Sequence, residues 1–315
     1  MRHKFGFVNE RLSKLKNDSL YRQLQDTVVN KQYVHIKNKK LLNLSSNDYL
    51  GINITSPRFK QFQSSSRSVT GNDKKFIDLE KKLSNHKSQE KTLIYPTGYM
   101  ANLGAISAII EKNDTIFSDE LNHASIIEAC RLTSAKIKIY KHNDMHDLEL
   151  KIKRDNNRKF IITEGIFSMD GDSAKLNEIT EIASKYDIIT ILDDAHGDFV
   201  FGEDGKGTAH QFGVNKNIDL YISSLSKGLG SFGGYVASKK NIIDLCINRS
   251  KSFIYTSALP SPLIDFTLKR FNSNREIRRK KLWNNVNLFH KALTQIGYKT
   301  SSTSQIIPII IGDEK

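Results

Sequence analysis

Residues 220–234 read Leu220-Tyr221-Ile222-Ser223-Ser224-Leu225-Ser226-Lys227-Gly228-Leu229-Gly230-Ser231-Phe232-Gly233-Gly234. A short apolar run is followed by hydroxyl side chains, then by a single lysine, then by glycines. This pattern predicts a buried strand with Lys227 just past its end. A solubilising lysine is not expected among small residues at the end of a core strand. A desolvated amine in that position is suited to forming a Schiff base, because burial favours its neutral, nucleophilic form.

Apolar runs that alternate with amphipathic segments surround this stretch. The runs predict strands at Thr92–Tyr95, Thr115–Phe117, Lys136–Tyr140, Phe160–Thr163, Ile188–Leu192 and Leu220–Ser223. The segments between them predict helices at Phe76–His86, Tyr99–Ile110, Ala124–Leu132 and Leu176–Tyr186. Short continuous strands separated by helices indicate an α/β fold, with a mostly parallel sheet that carries helices on both faces.

The two ends of the chain give further predictions. Residues 1–30 predict a polar helical arm, because leucines recur there at roughly helical spacing. β structure is predicted next, at Tyr33–Ile36 and Lys40–Leu44. Residues 262–297 predict helix, and Ser304–Ile311 predicts a strand that opens a second domain.

Polar side chains follow five of the predicted strands. Ligands of open parallel sheets bind beyond the carboxyl ends of the strands, so we expect these side chains to converge on one site. In chain order they are Thr97, Gly98 and Tyr99; Asp119 and His123; Glu164 and Ser168; Asp193, Asp194 and His196; and Ser223, Ser224 and Lys227.

Several of these residues also have a purely structural interpretation. Gly98 is either a turn glycine or the start of a helix whose free N–H groups bind phosphate. Asp193 is either a helix cap or a functional carboxylate, and its place directly after an apolar strand favours function. A single histidine is usually structural, but the placement of His123 and His196 near Lys227 favours a part in chemistry.

The composition limits the possible classes of function. The chain is 38% hydrophobic and 26% charged, and no apolar run approaches the ~20 residues that span a bilayer. The N-terminus lacks a signal-peptide pattern. The two cysteines, Cys130 and Cys246, are too few for a disulfide framework, so we expect a reducing cytoplasm. The net charge of +14 is spread over scattered lysines, and no nucleic-acid or membrane partner is predicted.

Two weaker motifs are set aside. Gly228–Gly233 matches the dinucleotide pattern GxGxxG, but it follows the last strand of the set instead of opening a βαβ unit. His142 and His146 lack the flanking glutamate of a zinc-hydrolase helix, and we interpret them as solvated polar residues. No metal site is predicted.

Six segments together resemble the α-oxoamine synthases, which are pyridoxal-phosphate enzymes of fold type I in aminotransferase class II. The resemblance covers about Leu12 to Lys315 and is carried by Ser45–Gly51, Thr97–Asn102, Asp119–Ser125, Thr163–Asp172, Asp193–Gly197 and Ser224–Gly228. Within the family, the aminoketobutyrate ligases typically carry Asp-Gly-Val-Phe-Ser and Asp-Asp-Ser-His-Ala at two of these places. Glu164–Ser168 and Asp193–Gly197 instead favour the branch that makes 8-amino-7-oxononanoate in biotin synthesis.

The resemblance implies roles for the residues around the cofactor ring. Lys227 would bind the aldehyde of pyridoxal 5'-phosphate covalently and later act as the base. Asp193 would pair with the pyridine nitrogen and keep it protonated, which makes the ring an electron sink. His123 would stack on the ring, and His196 and Ser168 would lie on the side of its hydroxyl group.

The resemblance also implies how the cofactor's phosphate is bound. The amides of Gly98 and Tyr99 would contact it, together with the hydroxyl of Ser224 or Ser226. Of these two serines, Ser224 is favoured.

The implied reaction is a decarboxylative condensation of L-alanine with a pimeloyl thioester, carried on coenzyme A or on acyl carrier protein. Asn47 would contact the substrate carboxylate, and Arg22 the acyl substrate. The family takes a further hydroxyl from a second subunit, and Thr256 or Ser257 fits that role. A homodimer is therefore expected.

The resemblance predicts three parts of the chain: an N-terminal arm of the small domain at 1–45, a large cofactor-binding domain at 46–285, and the start of a truncated α+β small domain at 286–315. Relatives supply a carboxylate-binding arginine from that last domain, and no arginine follows Arg279 here. Two alternatives stay open: a glycine C-acetyltransferase, or a cofactor-binding homologue with impaired catalysis. We also expect exposed apolar side chains at Ile306, Ile307, Ile309 and Ile311.

Overall fold

The computed structural model describes residues 6–30, 32–37, 39–54 and 65–312, and the chain divides into two compact units. The smaller unit is Met1–Ser46 with Ile309–Lys315, and the larger is Asn47–Pro308. The predicted boundaries at 45 and 285 stay predictions.

The smaller unit begins with one helix, α1 (Gly6–Asn17). An antiparallel three-stranded sheet follows, made of β1 (Thr27–Asn30), β2 (Tyr33–Ile36) and β3 (Lys39–Leu42). The predicted strands here are confirmed. The predicted helical arm is wrong beyond Asn17, because the β-branched residues of β1 favour a strand. Residues 1–5 of that arm lie outside the described residues.

The larger unit is built on a seven-stranded sheet. Its strands are β4 (Lys91–Tyr95), β5 (Thr115–Asp119), β6 (Lys136–Tyr140), β7 (Lys159–Glu164), β8 (Ile189–Asp193), β9 (Leu220–Ser224) and β10 (Gly234–Ser238). The order across the sheet is β4-β10-β9-β8-β7-β5-β6, and only β10 runs antiparallel to its neighbours. The mostly parallel sheet is therefore confirmed. β10 was not predicted, because it begins at the second of two consecutive glycines.

Helices cover both faces of this sheet. The α-helices of this unit are α2 (Lys74–Lys87), α3 (Gly98–Ile109), α4 (Ala124–Leu132), α5 (Met145–Lys153), α6 (Leu176–Lys185), α7 (Thr208–Gln211), α8 (Lys240–Arg249), α9 (Lys251–Ile254), α10 (Ser261–Phe271) and α11 (Arg275–Gln295). Alternate residues of β7 enter two separate apolar cores, Ile161 with α2 and α6, and Phe160 and Ile162 with α3 and α4. A strand with both faces buried explains why its sequence is continuously apolar.

Two predictions near the C-terminal end are corrected. The helix predicted at 262–297 is divided, because the Asn272-Ser273-Asn274 segment ends α10 and precedes α11. Such side chains compete with the helical backbone for hydrogen bonds. The strand predicted at Ser304–Ile311 is absent from the described residues 304–312.

Serine side chains explain the missing strand. The amide of Ser304 donates to Ser302 Oγ at 3.2 Å, and the amide of Ile306 donates to Ser304 Oγ at 3.1 Å. These local bonds replace a sheet ladder. The expected exposure of the isoleucines is right for Ile309 and Ile311, whereas Ile306 and Ile307 are half-buried.

Candidate active site

The carboxyl ends of the parallel strands lie at one edge of the large sheet, as predicted. β5 ends at Asp119, β7 at Glu164, β8 at Asp193 and β9 at Ser224. Glu164 and Asp193 are direct cross-strand partners. Lys227 follows β9 by three residues, which brings its amine to this edge.

Lys227 belongs to a chain of hydrogen-bonded side chains. Its Nζ lies 2.7 Å from His196 Nε2, and His196 Nδ1 lies 2.6 Å from the Tyr49 hydroxyl. That hydroxyl is also within 3.3 Å of Asn47 Oδ1. The sequence prediction included Lys227, His196 and Asn47 but missed Tyr49. The only sequence signal for Tyr49 was its place in the Ser45–Gly51 segment.

Burial sets the charges in this chain. Burial lowers the pKa of Lys227, and the nearby carboxyl groups of Asp193 and Glu164 only partly oppose it. Burial, helped by the charge of Lys227, lowers the pKa of His196 to about 2, so its imidazole is neutral at neutral pH. Burial raises the pKa of Tyr49, so its phenol keeps its proton. Tyr49 can therefore donate to Nδ1 of the imidazole, which leaves the ring proton on Nε2, facing Lys227.

The carboxylate of Asp193 is buried and oriented by two donors. Asn102 Nδ2 donates to Asp193 Oδ2 at 2.7 Å, and the amide of Ala195 donates to Asp193 Oδ1 at 3.0 Å. Asn102 lies on α3 and also donates to Ser125 Oγ at 3.0 Å. Asn102 was missed as a site residue, since an asparagine inside a helix gave no local signal.

His123 caps the start of α4 and contacts the next strand end. Its Nδ1 accepts from the amide of Ser125 at 3.2 Å, and its own amide donates to Glu164 Oε1 at 2.6 Å. Burial, with the charge of Asp193 beside it, raises the pKa of Glu164 to about 8. Burial lowers the pKa of His123. At neutral pH, the site therefore holds a neutral imidazole and a largely protonated acid near Asp193.

The first turn of α3 packs closely against the end of β9. Gly98 begins the helix, as one of the two interpretations expected, and phosphate binding by its amide stays a prediction. A methyl group added at Gly98 would lie 3.1 Å from Ser224 Cβ, and one added at Gly234 would lie 2.5 Å from Gly98 Cα. Ser224 Oγ lies 2.8 Å from Ser226 Oγ. Free N–H groups at a helix start beside two hydroxyls form a suitable binding site for an anion.

The other predicted site residues occupy varied positions. Tyr99 follows Gly98 in the first turn of α3, and its ring meets the His123 ring edge-on, with centroids 6.4 Å apart. Ser168 lies half-buried in the turn after β7. Thr256 and Ser257 lie in the loop before α10.

Arg22 belongs to the smaller unit and is exposed. Its contact with a substrate stays a prediction.

Asp194, expected at the site, instead faces the core. Its Oδ2 lies 2.9 Å from Lys87 Nζ, and Lys87 Nζ lies 2.9 Å from Asp198 Oδ1. The side chains of all three are fully buried. His86 Nε2 is 3.0 Å from Asp198 Oδ1. We call Lys87, Asp194, Asp198 and His86 the buried ion cluster.

The buried ion cluster connects α2 to the segment that follows β8. Asp194 lies between Asp193 and His196 in the sequence, so the ion pair with Lys87 fixes the backbone that carries both. Thr208 Oγ1 donates to Asp194 Oδ1 at 2.8 Å, and Ser223 Oγ donates to Asp198 Oδ2 at 2.8 Å. These pairs could not be predicted from the sequence, because their members lie far apart along the chain.

The described residues lack two features that other classes of function require. Within these residues, no group of three or more His, Cys, Asp or Glu side chains could hold a metal ion. Nor does the described part of the chain include a helix that is long and apolar enough to cross a membrane.

Comparisons with known proteins agree with this geometry. The family model for aminotransferase class I and II matches residues 39–315. An 8-amino-7-oxononanoate synthase of Thermoanaerobacter pseudethanolicus is 42% identical, over 99% of this chain and 83% of that protein. Six curated relatives at 37–42% identity carry this name, one of them as putative.

Two solved structures superpose on this chain. The 8-amino-7-oxononanoate synthase of Francisella tularensis superposes with a TM-score of 0.70 at 26% identity, over 83% of this chain and 78% of that one. A serine palmitoyltransferase variant with pyridoxal phosphate superposes with a TM-score of 0.85 at 25% identity, over 96% of this chain and 80% of that one. The chain belongs to the aminotransferase class I and II family and, within it, to the 8-amino-7-oxononanoate synthases.

Proposed function

We propose that the site around Lys227 binds pyridoxal 5'-phosphate and that the amine of Lys227 bonds covalently to the cofactor's aldehyde. The lowered pKa of Lys227 supports this, because only a neutral amine attacks a carbonyl carbon. Asp193 is proposed to pair with the pyridine nitrogen. Its orientation by Asn102 and by the amide of Ala195 supports that role.

The first turn of α3 is proposed to bind the cofactor's phosphate. The close approach that Gly98 and Gly234 permit supports this, since a side chain at Gly98 would meet Ser224 and one at Gly234 would meet the backbone of Gly98. The helix dipole and the free N–H groups favour an anion there. The hydroxyls of Ser224 and Ser226 lie 2.8 Å apart and are proposed to donate to it. Ser168 and His196 are proposed to contact the ring hydroxyl, and His123 the ring face.

The protonation states of Lys227 and His196 determine the proposed chemistry. When bound, the cofactor withdraws electrons from the α-carbon of an amino-acid substrate, which makes its α-proton removable. The free amine of Lys227 would accept that proton on Nζ. His196 stays neutral and holds a proton on Nε2, and Tyr49 holds the imidazole in that orientation.

The reaction that we propose is the condensation of L-alanine with a pimeloyl thioester of coenzyme A or acyl carrier protein. A carbon–carbon bond forms between the alanine α-carbon and the thioester carbonyl, the thiol leaves, and carbon dioxide is lost to give 8-amino-7-oxononanoate. The observation that carries the proposal is the half-buried Lys227 amine, whose pKa is lowered by burial, in contact with His196 at the carboxyl edge of the sheet. The names of the relatives support the choice of substrates.

Release of carbon dioxide tests this reaction. The holoenzyme is supplied either with L-alanine and pimeloyl-CoA or with glycine and acetyl-CoA, and Lys227→Ala is the matched control. We expect carbon dioxide and 8-amino-7-oxononanoate from the first pair alone, and none from the variant. The glycine C-acetyltransferase reaction keeps the glycine carboxylate in its four-carbon product, so free coenzyme A is measured alongside carbon dioxide. Faster release of coenzyme A from the second pair would favour the glycine C-acetyltransferase. No release of coenzyme A or carbon dioxide from either pair, with cofactor bound, would favour the impaired homologue.

A homodimer is proposed as the active form, with Thr256 or Ser257 contacting the phosphate bound by a second copy. The position of both residues in a surface loop supports this, and Ser257 is exposed there. A reducing, cytoplasmic setting is proposed as well. The free cysteines Cys130 and Cys246, both buried, support it. Arg22 and Asn47 are proposed to contact the acyl and amino-acid substrates.

A further inference from the structure

His142 occupies an unusual position between two loops of the active-site edge. Its Nδ1 lies 2.9 Å from Asp119 Oδ1 and its Nε2 lies 2.8 Å from Asp172 Oδ2. The ring also meets Phe167 edge-on, with centroids 4.4 Å apart. The interpretation of His142 as a solvated polar residue is therefore wrong. His146, four residues on, is exposed as expected.

Asn143 strengthens the same contacts. Its Nδ2 donates to Asp172 Oδ2 at 3.0 Å and to the Ser173 carbonyl at 3.2 Å, and its amide donates to Asp119 Oδ2 at 3.2 Å. We call these contacts of His142 and Asn143 with Asp119 and Asp172 the His142 bridge.

The hydrogen-bond chemistry of the His142 bridge fixes its charge. An ionised carboxylate can only accept hydrogen bonds, so each ring nitrogen must donate a proton to its partner. An imidazole that donates from both nitrogens is a cation, and it here lies between two acidic side chains. Burial lowers the pKa of His142, but the hydrogen bonds to Asp119 and Asp172 outweigh it and leave the pKa raised.

One end of the His142 bridge holds the loop that leads to His123. Asp119 Oδ1 also accepts from the amide of Leu121 at 2.9 Å, and the Asp119 carbonyl accepts from the amide of Asn122 at 3.2 Å. The next residue is His123, which begins α4. Loss of the contact at Asp119 would therefore loosen the approach to His123.

The other end holds the turn that contains Ser168. The amide of Phe167 donates to the Asp172 carbonyl at 3.0 Å, and the amide of Gly171 donates to the Phe167 carbonyl at 2.9 Å. Ser168 lies inside this turn, and His142 contacts both Phe167 and Asp172. One imidazole therefore restrains both loops.

We propose that His142 is a positioning residue, which as an imidazolium cation ties the His123 loop to the Ser168 turn and so preforms the ring-binding side of the cofactor site. The charged groups that face it are Asp119 and Glu120 from the end of β5 and Asp172 from the turn; Glu120 Oε1 accepts from the amide of His142 at 2.8 Å. The link to the cofactor rests on the proposed function, whereas the link between the loops does not.

The sign of the pH dependence follows from the raised pKa. The order that His142 provides is fully present below the ordinary histidine pKa of about 6.5 and is lost as pH rises through the higher pKa of the folded protein. Deprotonation leaves the neutral ring a single N–H donor for two carboxylates, so over that range it can hold only one loop at a time and no longer ties the two together.

Nitrogen NMR and hydrogen exchange on the full-length holoenzyme test the proposal. The ring signals of His142 are assigned by their loss in His142→Gln, and at pH 6 we expect both ring nitrogens to carry protons. In His142→Gln, we expect amide exchange in segments 119–124 and 165–174 to accelerate by about tenfold, as for a lost charge-assisted hydrogen bond. The cofactor's dissociation constant should rise by a similar factor. His146→Gln, the matched control, should change neither quantity.

Three results would overturn the proposal. They are a neutral His142 at pH 6, unchanged exchange in both segments, or loosening of only one segment. If His142→Gln does not fold, Asp172→Asn keeps the test available, because it weakens the same contact from the other side. The protonation of the His142 ring and the amide exchange rates can be measured without turnover. If both agree with the proposal but the protein is inactive, the result would contradict the proposed function and not the role of His142.

Discussion

Two lysines of this chain, the fully buried Lys87 and the half-buried Lys227, have opposite electrostatic environments. Lys87 has no exposed side-chain surface and lies within 2.9 Å of two carboxylates, Asp194 and Asp198. Burial opposes its charge, but these carboxylates outweigh burial and raise its pKa. Lys227 contacts the neutral imidazole of His196, and no ion pair to it is found among the described residues. Burial lowers its pKa.

The difference shows that partners, and not burial alone, decide the charge of a lysine. Lys87 serves structure, because a charged amine between two carboxylates fixes α2 against the segment after β8. We propose that Lys227 serves chemistry, because its lowered pKa favours the neutral amine, which can attack a carbonyl and accept a proton. The two functions are adjacent, since Asp194 of the buried ion cluster directly follows Asp193 of the site.

Removing Lys227 should give the largest effect on catalysis. Lys227→Ala is expected to lower kcat by at least about 10²–10⁴-fold, the usual contribution of a positioned base. The free energy of unfolding should change by less than about 1 kcal/mol, because no charge partner is left unpaired. Steady-state assays and urea unfolding measure the two quantities. A large loss of stability in Lys227→Ala would mean that Lys227 also has a structural role, which would contradict the difference from Lys87.

Removing Lys87 should give the opposite pattern. Lys87→Met is expected to lower the free energy of unfolding by about 3–5 kcal/mol, because it leaves two buried carboxylates without their cation. Urea unfolding measures it, with the exposed Lys81→Met as the control on the same helix, expected within about 0.5 kcal/mol of the parent. A variant as stable as the control would show that the buried ion cluster does not hold the fold.

Glu164 provides a pH test of the uncharged character of the site. Its pKa is raised from 4.5 to about 8, so the folded protein holds the proton more tightly than the unfolded chain does. The contribution of Glu164 to the free energy of unfolding is fully present below pH 4.5 and is lost as the pH rises through about 8. The loss should approach about 1.4 kcal/mol per pH unit within that range.

Glu164→Gln should remove that pH dependence, because the amide resembles the protonated acid. Unfolding measured at several pH values for parent and variant gives the difference directly. If the free energies of unfolding of parent and variant change with pH in the same way, Glu164 is ionised in the folded protein. That result would contradict the raised pKa of Glu164.

Removing the Tyr49 hydroxyl should give the smallest effect. Tyr49→Phe is expected to lower kcat by about tenfold and to shift the pH profile of kcat, because His196 loses the donor that fixes its tautomer. Tyr186→Phe is the control, since that hydroxyl binds Glu149 at a distance of 2.7 Å. A change in KM with an unaltered pH profile would contradict a role through His196.

The sequence was most informative where local pattern and structure coincide. The strand ends could be predicted because apolar runs mark β5, β7, β8 and β9, and because parallel topology brings their carboxyl ends to one edge. Gly98, Asp193 and Lys227 followed from this reasoning. β10 and α5 were missed, since one begins with glycine and the other is largely charged.

The contacts that arrange the site could not be predicted. Lys87 pairs with Asp194 across 107 positions, and Tyr49 meets His196 across 147. Periodicity describes neighbours along the chain and gives no information on such pairs. His142 was misjudged for the same reason, because both of its carboxylate partners lie more than 20 positions away.

Chemical trapping of the cofactor tests the central claim most directly. The holoenzyme is treated with borohydride, digested, and its lysine-containing peptides are mapped by mass spectrometry. We predict that the parent is yellow before reduction and that the reduced cofactor is found on Lys227 and not on Lys87. The Lys227→Ala variant should carry no such adduct at this site. An unmodified Lys227, with the cofactor scattered over exposed lysines or absent, would contradict the account.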